Sequence, residues 1–92
     1  MTADGRTFAP YVDLAEAARL TMGNVLAGLG EAVPFRLLIM VATADPSELA
    51  TVAAAARAAC PGDPVVSIVG LVSLPFGIPV EIEAIGEFHG PP

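Results

Sequence analysis

From Phe35 to Thr43 the chain runs through Leu, Ile, Met and Val with almost no polar break. A run of that length and composition, closed by turn signals, predicts a strand buried on both faces. Such a strand belongs at the centre of a sheet. Arg36 interrupts the wider apolar stretch Val33 to Ala44, and Pro75 and Pro79 break the second one, Pro64 to Val80. Neither stretch reads as a membrane span.

The flanking segments supply helices and further strands. Asp13-Leu14-Ala15-Glu16 has the pattern of a capping box, and Leu14, Ala18, Met22, Val25 and Leu29 fall on one stripe. A helix is predicted from Leu14 to Leu29, with Gly28 or Gly30 ending it. Asp45-Pro46-Ser47-Glu48 stacks an N-cap, a first-turn proline and an acidic residue ahead of Leu49, Val52, Ala53, Ala56 and Cys60, which predicts a second helix ending near Pro61. Gly62-Asp63-Pro64 is a turn signal, Val65 to Leu74 reads as a strand, and Pro75 closes it. From Pro79 to Phe88 apolar and acidic residues alternate, the mark of a strand with one acidic face. The connector between these last two strands is too short for a crossover, which predicts an antiparallel pair. The order is helix, strand, helix, strand, strand, an α/β pattern in a single domain over residues 1–92.

Composition narrows the function. Ten acidic residues against four Arg, for a net charge of −6, argue against nucleic acid as a partner. There is no Lys, so Schiff-base and P-loop chemistries lose their amine. Hydrophobic residues make up 54% of 92, more than so short a chain hides in its own interior, which predicts an oligomer. The single cysteine, Cys60, forms no internal disulfide, and His89 alone cannot complete a zinc site around it. Met1 to Pro10 lacks a signal core, so a soluble cytoplasmic protein with no membrane partner is expected.

Few residues offer chemistry. His89 lies in a terminal tail and reads as solvated, not catalytic. Cys60 falls on a helical stripe and reads as a core thiol. Glu81 and Glu83 share a strand face, where they form either a solvated acidic surface or a general acid–base pair. Arg36, set in the most apolar stretch, either snorkels to water or takes an anionic ligand. Arg19 and Arg57 sit off the apolar stripes as partners for nearby carboxylates.

Val80-Glu81-Ile82-Glu83-Ala84-Ile85 is similar to the C-terminal signature of the Rid/YjgF (L-PSP) family. Asn24-Val25-Leu26, Val41-Ala42-Thr43-Ala44-Asp45, Leu49-Ala50-Thr51-Val52 and Cys60-Pro61-Gly62-Asp63-Pro64 resemble its other landmarks in order and spacing. The resemblance spans about residues 13 to 88. It implies a chorismate-mutase-like α/β fold, a homotrimer, and small-molecule sites in clefts between subunits. Its enzymes are imine deaminases, hydrolases that convert 2-imino or enamino acids to 2-oxo acids and ammonia without metal or organic cofactor. It assigns the water-handling glutamate to Glu81, with Glu83 second. The carboxylate-binding arginine is absent: Pro64-Val65-Val66-Ser67 has Val66 in its place, and the resemblance makes Val66 and Ser67 the ligand-binding candidates there, together with Arg36. The family's N-terminal strands also lack a counterpart, since Arg6 to Tyr11 has length for one short strand at most. The resulting expectation is a small-metabolite-binding protein without standard deaminase activity. The alternatives are an active deaminase anchored by Arg36 or by another subunit's arginine, and a structural subunit that pairs with a longer Rid-type chain.

Overall fold

The computed structural model describes residues 13–88. Expectations placed on Arg6 to Tyr11, on the Met1 to Pro10 lead-in and on His89 lie outside the described residues. Helix α1 (Leu14–Leu29) begins where the carboxylate of Asp13 accepts from the backbone N–H of Ala15 at 3.0 Å and of Glu16 at 3.2 Å. The reciprocal half of the expected capping box is replaced by an ion pair, because Glu16 turns to Arg19 one turn on. Gly30 ends the helix at φ 61, its N–H bonded to the Leu26 carbonyl at 3.1 Å. A side chain there would be strained, as the glycine preference at this position requires.

Strand β1 (Val33–Val41) follows, then α2 (Pro46–Ala58), β2 (Val65–Gly70), a single 3-10 turn (Pro75–Gly77) and β3 (Val80–Glu87). The N-cap of α2 is a small polar knot. Asp45 Oδ1 accepts from the backbone N–H and the hydroxyl of Ser47, both at 2.8 Å, while the Thr43 hydroxyl donates to Glu48 at 2.8 Å. Thr43 is the buried polar residue among the described ones, and this bond satisfies it.

The sheet order is β2-β1-β3. The central placement of β1 agrees with its apolar run, but the last two strands do not pair with each other as expected. β2 lies parallel to β1 on one side, and β3 lies antiparallel to β1 on the other. Residues 71–79 carry the chain across the end of β1: Leu71 N–H donates to the Val41 carbonyl at 2.8 Å, and Ala42 N–H donates to the Pro79 carbonyl at 3.0 Å. The link is long enough to pass one strand width, roughly 4.8 Å per step, so its shortness never forced a hairpin. The expected strand through Leu74 also stops earlier, at Gly70.

Both helices pack on one side of the sheet. Leu37, Ile39 and Val41 of β1 are fully buried there against Leu14, Ala18, Met22, Val52 and Ala56. β1 is therefore covered on one face, not two. A bulge between Pro34 and Arg36 inserts Phe35 as an unmatched residue opposite the Ile85–Gly86 step. That bulge accommodates a proline inside a central strand, a place where its missing donor otherwise breaks the ladder. In the connector, Phe76 adopts φ 60 and Gly77 φ 67, and Ile78 N–H reaches back to the Pro75 carbonyl. Two successive left-handed residues define a tight turn of the type that favours Asn or Gly, yet the first is a fully exposed phenylalanine.

Candidate functional site

Because side chains alternate along a strand, Arg36, Leu38 and Met40 face away from the helices. Register extends that alternation across the sheet. Arg36 stands between Val65 and Ile85, Leu38 between Ser67 and Glu83, and Met40 between Val69 and Glu81. These three rows place a cation, two carboxylates and a hydroxyl on otherwise apolar ground, and Glu87 continues the same face at the end of β3.

A cavity of about 240 Å³ opens on it, lined by Arg36, Leu37, Leu38, Ser67, Glu83 and Ile85. That is below the roughly 300–1,000 Å³ of sites for drug-sized ligands and suits a metabolite of few heavy atoms. Arg36 and Glu83 are diagonal neighbours across β1 and β3, a relation that separates residues by roughly 7–8 Å, with their Cβ atoms somewhat closer and within reach of long side chains. Among the described residues neither side chain has an ion-pair or hydrogen-bond partner. A guanidinium above an apolar floor offers a planar fork of donors to a carboxylate. The exposed Ser67 hydroxyl and Glu83 carboxylate flank that floor at Leu38, where they accept from an N–H or hold a water.

The structure thus brings together three of the residues singled out from sequence, Arg36, Ser67 and Glu83, and separates the other two. Glu81 shares the open face one step along β3 but lies outside the cavity lining. Val66, opposite Leu37, turns to the helix-covered side and packs against the core. An arginine at position 66 would direct its charge into that core, not into the cavity. Leu38 and Ile85 were not anticipated as lining; the period-two step from Arg36 and from Glu83 was the signal that places them there.

The remaining candidates are structural. Cys60 is buried in the core, its thiol 3.5 Å from the Pro61 carbonyl oxygen, and burial raises its pKa above the ordinary thiol value. A protonated buried thiol is a poor nucleophile. Arg57 pairs with Asp63 at 3.4 Å and Arg19 with Glu16, both at the exposed surface. Among the described residues no helix is long and apolar enough to cross a membrane.

No family model matches this chain, and no curated protein matches it. A solved structure does. The protein Atu1372 from Agrobacterium tumefaciens, of unknown function, is similar at 28% sequence identity with a TM-score of 0.73, over 92% of this chain and 67% of the other. The chain is a small α/β domain that shares its fold with the matched part of that protein.

Proposed function

We propose that this chain is a Rid-like, chorismate-mutase-like protein that binds a small carboxylate-bearing metabolite on the open face of its sheet. The observation that carries the reading is the convergence of Arg36, Ser67 and Glu83 on one apolar cavity. Arg36 takes the ligand carboxylate, which replaces the arginine missing at Val66 by one on the neighbouring strand. Leu38 and Ile85 receive the aliphatic part, and Ser67 and Glu83 meet its polar end. The sequence resemblance supports a homotrimer in which other copies wall the cavity into intersubunit clefts.

Titration of the protein with pyruvate, followed by NMR shifts of β1, β2 and β3 amides, tests this. Shifts are expected to centre on Arg36, Ser67 and Glu83, and Arg36→Met is expected to weaken binding by about one to two decades, the worth of a charge-assisted contact. Equal binding in wild type and Arg36→Met would overturn the assignment. The shared cavity of Arg36 and Glu83 also favours a second reading, hydrolysis of 2-imino acids with Glu83 positioning water. Ammonia release that falls in Glu83→Gln while pyruvate affinity holds would select it.

A further inference from the structure

The two edges of the sheet differ in charge. β3 carries Glu81, Glu83 and Glu87, whereas from Pro64 to Val80 the chain has no charged residue at all. That uncharged stretch contains β2 and the connector, and it holds Val65, Val69, Leu71, Val72, Phe76 and Ile78 among the exposed large hydrophobics. β2 has none of the devices that protect an edge strand: no charge, no internal proline and no bulge.

Backbone geometry says which groups the edge presents. Leu71 N–H bonds to the Val41 carbonyl, so by alternation Val65, Ser67, Val69 and Leu71 direct their amide groups to β1. Val66, Ile68 and Gly70 therefore direct their N–H and C=O outward, three residues symmetric about Ile68.

We propose that β2 pairs antiparallel with β2 of a second copy, across a two-fold axis at Ile68. Val66 then faces Gly70 of the other copy, Ile68 faces its own equivalent, and the outward groups, which pair with no strand among the described residues, exchange hydrogen bonds in both directions. On the open face Ser67 meets Val69 and Val65 meets Leu71, so no charged side chain enters the contact. That is the argument for a second copy as the occupant. Two chains each at −6 repel, and this edge is where they approach with no like charges opposed. Pairing through β3 would instead set glutamates against glutamates. The product is a continuous six-stranded sheet with all four helices on one side and both cavities on the other. A dyad adds to a three-fold arrangement without replacing it, since two trimers joined this way contain six chains.

Amide hydrogen exchange on the purified chain, with light-scattering mass on the same sample, decides the matter without any ligand and so independently of the cavity's reading. The expected result is slow exchange at Val66, Ile68 and Gly70 as well as at Ser67, Val69 and Leu71, in a particle with an even number of chains. Val69→Glu, which places a charge at the contact on a residue 42% exposed, is expected to halve the mass and release the even-numbered amides alone. Fast exchange at the even-numbered amides of the wild type would overturn the proposal. So would their protection in a one-chain particle, which would mean the chain covers its own edge, or a mass of three chains, which would leave a homotrimer standing without this contact.

Discussion

The two faces of the sheet are built from alternate residues of the same three strands, yet they obey different rules. On the helix-covered face Leu37, Ile39 and Val41 have no exposed surface and touch α1 and α2 through close-packed aliphatic groups. On the open face Arg36, Leu38 and Met40 occupy the intervening positions and stay partly or largely exposed. A step of one residue separates a side chain that holds the fold from one that is available to a ligand. Nonpolar character alone does not tell the two apart, because Leu37 and Leu38 are the same amino acid.

That pair provides the sharpest way to break the comparison. Leu37→Ala is expected to lower stability by about 2–5 kcal/mol, the cost of a cavity among groups that relax only partly. Leu38→Ala, half-exposed above the open cavity, is expected to cost less than about 1.5 kcal/mol. Urea denaturation of both variants checks the difference, and equal midpoints would erase the distinction between the faces.

A smaller effect is expected at Gly70, where β2 ends beside the turn into α2. A Cβ there would press on the Thr43 carbonyl oxygen and approach the Ala44 backbone, neither of which yields as a flexible side chain does. Gly70→Ala is expected to cost about 1–3 kcal/mol by overpacking, read as a lowered melting temperature. An unchanged melt would show that this corner is looser than its geometry. The smallest effect belongs to the open face. Arg36→Met is expected to change stability by no more than about 0.5 kcal/mol, as for surface positions without a structural partner, although the same change is expected to weaken binding of the proposed carboxylate ligand. A large loss of stability would mean that Arg36 serves the fold.

Local chemistry made much of this legible in the sequence. α1 spans Leu14–Leu29 as its stripe and caps predict, and Asp45-Pro46 starts α2 where it should. The central position of β1 followed from its apolar run. Pairing of β2 and β3 did not follow, because connector length bounds how far a chain can travel and is silent on which side of a neighbouring strand it lands. The site was half legible for a related reason. Arg36 and Glu83 were visible as residue types, but their meeting depends on β3 lying beside β1. Val66 was misplaced in role because a family landmark carries position along the chain, whereas the face a residue presents depends on its parity within this sheet.

The unmatched Phe35 gives β1 one more residue than its ladder with β3 consumes. Remove it in thought and Pro34 and Arg36 become consecutive, still opposite Gly86 and Ile85, still on opposite faces. Length is editable at this point without editing orientation. The surplus residue sits immediately before Arg36, which lines the cavity, so a change of length by one residue is absorbed next to the cavity while every core position of β1 stays in frame.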